Sequence, residues 1–342
     1  MSKIFVVGAT GHIGGAVLDL IYPKYPDVHI KALVRDEKKG KILVGKYPRV
    51  TFVVGDLTSL DLLTREAKEA DVVVNTGPDV KQDTAISAIL EGLANHSPKA
   101  YYIHTAGRSL LWNSPGSSQA EPKIFDDVVD IQALKSFPPT TLHATSNALV
   151  FAASPSTNIA IISPTVVHGL SLSPLHPTPP LRNHNHPIRL HHLSTTTLQS
   201  HIHVLDLAQI YLFLLSSALT DPSPNPQKWG PEAFYFAASE NLSFSAYMQF
   251  LISKVSKPPY NLLHNTLIAE LPFSEAVKVV GTLTAYLFGI HMQVRCTRAK
   301  EVLGWVPRAK RLGEGLDEVL EVYNRERDSG VGMQELDTTY GL

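Results

Sequence analysis

The chain has 342 residues, 44% of them apolar and 18% charged, and its 30 basic against 31 acidic side chains leave a formal charge of −1. That balance supports a full buried core in one large or two modest domains. It argues against disorder, a nucleic-acid partner or an acidic membrane surface, and it favours a small neutral or anionic ligand.

The strand Lys3–Val7 follows Met1 too closely for a secretory leader to fit ahead of it, so a cytoplasmic location is expected. Residues 14–22 read as a helix, His29–Val34 and Val50–Val54 as strands, and residues 60–70 as a helix capped by Thr58 or Ser59. A fourth strand over 71–75, a helix over 83–95 and a fifth strand over 100–104 follow. Uninterrupted apolar strands separated by helices predict an α/β fold of the Rossmann type, with a doubly wound parallel sheet covered on both faces. Between 107 and 141 the pattern weakens into Pro, Ser and Gly, which suggests a long loop with short helical pieces.

A helix over 142–153 and a strand over 158–162 resume the alternation. Residues 168–203 then bring eight histidines and several prolines, followed by a helix over 205–219. The most apolar window there, 210–219, is about ten residues long; a bilayer span needs about 20, so this is read as a core helix and no membrane partner is expected. A Pro-rich surface loop at 221–231, a strand over 233–237 and a last helix over 313–323 complete the chain, and no internal repeat is present. The one cysteine, Cys296, excludes an intramolecular disulfide and fits a reducing compartment, with a buried thiol as its simplest role.

Directly after the first strand stands Gly8-Ala9-Thr10-Gly11-His12-Ile13-Gly14. Gly8 permits a tight turn, Gly11 lets the backbone approach a pyrophosphate, and Gly14 lets the helix pack on the strand, while the helix N-terminus offers unpaired N–H groups to the anion. Thr10, His12 and Ile13 complete this expected dinucleotide cradle. The second strand ends at Val34 without a carboxylate; Arg35 follows, with Lys38 and Lys39 close behind. Cations there suit a 2′-phosphate and favour NADP(H) over NAD(H), although Asp36 could instead turn toward a ribose. Asp56-Leu57, after the third strand, would place an acceptor near the adenine amino group, or Asp56 could simply hold a strand-end turn.

With Gly55-Asp56-Leu57, Asn75-Thr76-Gly77, His104-Thr105-Ala106-Gly107, Pro164-Thr165-Val166-Val167-His168-Gly169, His203-Val204-Leu205-Asp206-Leu207-Ala208 and Leu303-Gly304-Trp305-Val306-Pro307, the chain resembles the extended short-chain dehydrogenase/reductase superfamily. Its fungal NAD-dependent epimerase/dehydratase-like and NmrA-like members are the most similar. The resemblance implies an NADP(H)-binding domain over 1–167, rejoined by a strand and helix from about 201–237, and a smaller, mostly substrate-binding region over 168–342. It also implies cofactor contacts from Thr76, Gly77, Thr105, Pro164, Thr165 and Val166, and a homodimer as the oligomer.

The superfamily's Tyr-x-x-x-Lys pair is absent. His143 stands at the Tyr position and Asn147 at the Lys position, and the expected Ser or Thr falls on Gly107, with Thr105 and Ser109 as nearby hydroxyls. Three readings follow. His143 could serve as general acid or base, since a histidine's unperturbed pKa of about 6.5 suits proton transfer near neutrality, with Asn147 on the ribose and Thr105 orienting substrate. Alternatively the cofactor is partly scaffold for an isomerase or cyclase, or chemistry is lost and the fold senses redox state as NmrA-like regulators do. A merely packed or capping histidine is the plain alternative for His143.

His176, His184, His186, His191, His192 and His201 invite a metal, yet no Cys or carboxylate lies among them and the spacing fits no ligand pattern, so none is expected. Ser109, Trp112 and His168 are the expected pocket residues. Phe125, Phe137, Tyr247, Phe250, Tyr286 and Phe288 are candidates for either the pocket or the core. The sequence reading is thus an NADP(H)-linked oxidoreductase of specialised metabolism that acts on a bulky apolar small molecule.

Overall fold

The computed structural model describes residues 2–111, 123–176, 191–192, 197–258, 260, 269–270, 272–280, 285 and 291–329. The first half builds strands β1 (Lys3–Val7), β2 (His29–Val34), β3 (Val50–Val54), β4 (Val72–Asn75) and β5 (Tyr101–Thr105). Between them run helices α1 (His12–Lys24), α2 (Glu37–Lys46), α3 (Leu60–Lys68) and α4 (Asp83–Leu93). After a 3₁₀ turn at Arg108–Leu111 come β6 (Phe125–Asp126), α5 (Ile131–Lys135), α6 (Ala144–Ala152), β7 (Asn158–Pro164) and β8 (Val166–His168). Then follow β9 (His191–His192), β10 (Leu198–His203), α7 (Val204–Thr220), β11 (Phe234–Ala237), β12 (Glu240–Ser243) and α8 (Phe244–Val255). The chain continues through β13 (Ala269–Glu270), α9 (Phe273–Val280), β14 (Val294–Arg295) and helices at Thr297–Leu303 and Leu312–Ser329.

Seven strands pair in the order β11-β7-β5-β4-β1-β2-β3, all parallel. The chain winds outward from β1 in one direction and from β4 in the other. Because such crossovers are right-handed, α1 and α4 fall on opposite faces of the sheet. The strands are therefore buried on both sides: Ile4, Phe5, Val6, Val72, Val73 and Ile103 are all at most 1% exposed. Each such side chain contributes about 1.5–3 kcal/mol of burial. α1 packs on α7, and α4 lies between α3 and α6. The order reverses between β1 and β4, and in an open α/β sheet the crevice at that reversal, beyond the carboxyl ends of the strands, is where ligands bind.

The later segments make a small three-stranded sheet, β12-β10-β8, in which β10 runs antiparallel to β12 and parallel to β8. Buried carboxylates tie these segments to the main sheet. Asp127, fully buried, accepts from the backbone N–H of Phe236 and of Arg298, each at 2.9 Å. Asp206 on α7 accepts from the N–H groups of Arg308 (2.7 Å) and Ala309 (3.1 Å), and its carbonyl from Trp305 Nε1 (2.9 Å). Cys296 is buried and forms no disulfide. Among the described residues no helix is long and apolar enough to cross a membrane.

Some local expectations need correction. α1 begins at His12, two residues ahead of the expected start, so the glycine turn runs straight into the helix. α2 was not anticipated; Asp36 starts it by accepting from Lys39 N–H at 2.8 Å. Ser59 does stand at the N-terminus of α3, but its hydroxyl makes no cap: it donates to Asp56 Oδ1 (3.3 Å) and accepts from Asp56 N–H (3.1 Å).

Candidate active site

The glycine turn sits at the crevice. Gly8 has φ +85°, in the left-handed region, and a Cβ there would stand 2.7 Å from Thr76 Oγ1 and 2.8 Å from the backbone of Gly77. At Gly14 a Cβ would lie 2.1 Å from the Gly8 carbonyl oxygen. Both positions therefore demand glycine, and their contact holds the mouth of α1 against the end of β1. Thr76 donates its hydroxyl to the Val7 carbonyl (2.9 Å), and Asn75 Oδ1 accepts from Gly77 N–H (3.0 Å), so the ends of β1 and β4 are fastened across the crevice. Thr10 and His12 are engaged from the second region: Ser173 donates to the Thr10 carbonyl (3.0 Å), and the His12 ring donates through Nε2 to the Gly169 carbonyl (2.9 Å). Burial keeps the His12 ring neutral, lowering its pKa to about 4. Ile13 is half-buried.

At the end of β2, Arg35 and Lys38 are exposed. Asp36 is committed to capping α2, and Lys39 stands 3.6 Å from its other oxygen. Asp56, placed beside the adenine by sequence reading, spends Oδ1 on Thr58 N–H (2.8 Å) and the hydroxyls of Thr58 (2.6 Å) and Ser59 (3.3 Å), which makes it the keystone of a strand-end turn. Leu57 is half-buried against the core.

Beyond β4 and β5 lies a chain of polar side chains. Asn75 Nδ2 donates to Tyr102 Oη (3.0 Å), which contacts His104 Nδ1 (3.1 Å). His104 Nε2 stands 3.7 Å from Asp79, too far for a hydrogen bond. Asp79 then meets His143 Nδ1 at 2.8 Å, and His143 Nε2 meets Ser109 Oγ at 2.7 Å. Ser146 also donates to Asp79, at 2.8 Å. Asp79 is 4% exposed and the His143 side chain 9%, while Ser109 is half-buried. Burial alone would raise the Asp79 pKa, but the His104 and His143 imidazoles outweigh it and hold the carboxyl well below the usual range. An ionised Asp79 can only accept, so His143 carries a proton on Nδ1 and turns Nε2 toward the Ser109 hydroxyl.

His143 occupies the position just before α6 with φ +66°, a left-handed conformation that costs a side-chain-bearing residue about 1–2 kcal/mol. That conformation lets one ring reach both Asp79 and Ser109. Gly107 makes room for it, since a Cβ there would lie 2.6 Å from His143 Nε2. One turn along α6, Asn147 is 2% exposed, and neither its Oδ1 nor its Nδ2 finds a partner among the described residues. Leaving a buried amide unsatisfied costs about 1–3 kcal/mol, which the hydroxyls of a bound ligand could recover.

Thr105, expected to orient substrate, does something else. It is 6% exposed, donates to the Asn75 carbonyl (2.7 Å) and shares a 2.6 Å hydrogen bond with Tyr211 on α7, so its hydroxyl is consumed within the core. Pro164 ends β7; Thr165 donates to the Ala237 carbonyl (2.8 Å); Val166 opens β8. His168 is buried in the small sheet, with Nε2 3.3 Å from Glu240, its ring against those of His201 and His203. Trp112, Tyr286, Phe288, His184 and His186 lie outside the described residues, as do the side chains of His191 and His192. Among the described residues, no three His, Cys, Asp or Glu side chains come together as a metal site. The broad open groove lined by Leu60, Thr64, Ser87, Ala88, Ala148 and Leu149 lies on the outer faces of α3, α4 and α6, and neither the glycine turn nor Ser109 and His143 line it. Sequence reading missed Asp79 because nothing in its spacing ties a lone strand-end carboxylate to a histidine 64 residues later.

The class this geometry defines is a Rossmann-type protein with its site at the switch between β1 and β4. Residues 1–91 match the model of the NmrA-like family, and the chain as a whole shares its fold with solved NAD- and NADPH-complexed proteins. An oxidase from Acremonium sp, oxidase ucsJ, is 34% identical over 129 residues, a match covering 37% of this chain and 33% of that oxidase, about a third of that relative's length. Among solved structures, dTDP-glucose 4,6-dehydratase from Bacillus anthracis in complex with NAD superposes with a TM-score of 0.64 at 13% identity, covering 96% of this chain and 98% of that one. A yeast methylglyoxal/isovaleraldehyde reductase complexed with NADPH gives 0.60 at 16% (95% and 99%), and alfalfa vestitone reductase 0.60 at 15% (96% and 99%). At these identities the likeness is one of fold.

Proposed function

We propose that the chain is an NADP(H)-dependent oxidoreductase of specialised metabolism that acts at a carbonyl, imine or alkene carbon of a bulky, largely apolar small molecule. The observation that carries the proposal is His143, held in a strained conformation between a buried carboxylate and a half-buried hydroxyl beside the cofactor crevice. The glycine turn fits a dinucleotide, because its two critical positions leave no room for a Cβ and its helix mouth presents N–H groups to phosphate. Arg35 would take the 2′-phosphate, since Asp36 is spent on α2. Asn147 would satisfy its orphaned amide on the ribose hydroxyls. When bound, the nicotinamide supplies or accepts a hydride.

The chain's own part is proton management. For reduction, an imidazolium at His143, stabilised by Asp79, passes its Nε2 proton to Ser109 Oγ as the Ser109 hydroxyl proton moves to the substrate oxygen, which leaves the ring neutral; oxidation runs the same relay in reverse. This replaces a Tyr-Lys pair with a Ser-His-Asp chain. The NADPH-complexed reductase and the oxidase among its likenesses support redox chemistry.

The test is absorbance at 340 nm with NADPH and a panel of aromatic ketones, enones and cyclic imines. Consumption that falls by about 100-fold or more in His143→Phe supports the proposal. Product formed without consumption of NADPH would point to an isomerase or cyclase instead.

A further inference from the structure

A proton donor for carbonyl reduction needs one acidic group. The chain builds more than that: a half-buried hydroxyl, an imidazole and a buried carboxylate, supplied by three separate segments and joined in series at 2.7 and 2.8 Å. Such an order is what activates a serine as nucleophile, with a base within hydrogen-bond reach and a third group fixing the base's orientation. Asp79 is clamped further by the Ser146 hydroxyl, and it is the buried end of the series, whereas Ser109 is the half-buried end. Gly107 puts no side chain of its own against His143 Nε2, where a Cβ would lie 2.6 Å away.

From this geometry we infer a second activity: Ser109 is a nucleophile toward carboxylic esters, with His143 as its base and Asp79 as the group that positions His143. The Ser109 oxygen forms a bond to the ester carbonyl carbon as its proton passes to His143 Nε2. The carbon–alkoxy bond then breaks, and the alcohol leaves with that proton. Water repeats the sequence on the acyl-serine and releases a carboxylic acid. No oxidant or reductant is consumed. This activity requires no nicotinamide, so it stands or falls separately from the redox reading.

The experiment uses the full chain without added nucleotide, treated with a fluorophosphonate probe and, separately, with p-nitrophenyl butyrate. The expected result is one phosphonyl group per chain on the peptide holding Ser109, with nitrophenol released catalytically. Labelling should be lost in Ser109→Ala, and both rates should fall by about 100-fold or more in His143→Ala and in Asp79→Asn. A circular dichroism spectrum matching the parent confirms the fold of each variant, and Ser109→Cys gives a second readout, alkylation by iodoacetamide that depends on His143. Labelling elsewhere, or ester hydrolysis unchanged in Ser109→Ala, overturns the inference. Absent labelling with intact NADPH oxidation would confine Ser109 to proton relay and equally overturn it.

Discussion

Replacing Gly14 with alanine sets two effects of known size against each other. Gly14 lies inside α1, where alanine normally gains about 1 kcal/mol over glycine. Here the added Cβ would stand 2.1 Å from the Gly8 carbonyl and 2.4 Å from Thr76 Oγ1, when real contacts essentially never fall below 3.0 Å. The backbone of β1 and α1 must therefore separate by about 0.9 Å, and neither carbonyl nor helix can rotate away as a flexible side chain would. Overpacking of this kind costs about 1–3 kcal/mol, and a backbone partner puts it at the upper end, so Gly14→Ala should be about 2 kcal/mol less stable than the parent. It should also lose NADPH binding, because the turn that receives the phosphates opens. Gly45→Ala is the control: it lies in α2 with nothing within 4 Å of the added Cβ, and should gain about 0.5–1 kcal/mol. Urea unfolding followed by circular dichroism measures both, alongside an NADPH titration. If Gly14→Ala gained stability as Gly45→Ala does and still bound NADPH, the reasoning about the turn would be refuted.

Gly107→Ala should displace the His143 ring, since its Cβ would lie 2.6 Å from Nε2, lowering kcat with little change in NADPH affinity; a shift in affinity alone would contradict it. Asp79→Asn should lower kcat by about 100-fold or more through loss of the charge that stabilises the imidazolium, and unchanged turnover would remove Asp79 from the account. Stability should decline as pH falls from about 6.5 toward 4. Burial lowers the folded-state pKa of His12 and His203 to about 4 and of His201 to about 3, so the unfolded chain takes up protons first, and the stability present above pH 6.5 is lost on acidification. Asp127, pushed up to about 7 by burial, acts in the opposite direction over much of that range, but at about 1.4 kcal/mol per unit for each group, three imidazoles outweigh one carboxylate. A urea midpoint that rose between pH 7 and pH 5 would contradict this.

The strands of the main sheet were legible because burial on both faces leaves them as unbroken apolar runs, and the glycine turn because its spacing is a steric requirement. α2 was not, since Glu-Lys-Lys-Gly-Lys-Ile-Leu-Val-Gly-Lys has two glycines and little apolar periodicity. It forms because Asp36 caps it and because Gly40 lets it settle on the Phe52 ring, where a Cβ would approach to 2.6 Å. His143 was singled out as the residue at the Tyr position. Its left-handed backbone and its carboxylate partner depend on three segments meeting, which no local pattern encodes. Thr105 was misread for the same reason: the hydroxyl that takes it out of play belongs to Tyr211, 106 residues along the chain.

Calorimetric titration of the purified chain with NADPH and with NADH, repeated on Arg35→Ala, bears most directly on the nucleotide crevice. Saturable binding of one NADPH per chain is expected, at least about 10-fold tighter than NADH, with that preference abolished when the guanidinium is removed, since a charge-assisted hydrogen bond contributes about 1.5–3 kcal/mol. Heat from neither nucleotide at millimolar concentration, with the protein folded, would contradict the assignment of the glycine turn as a dinucleotide site.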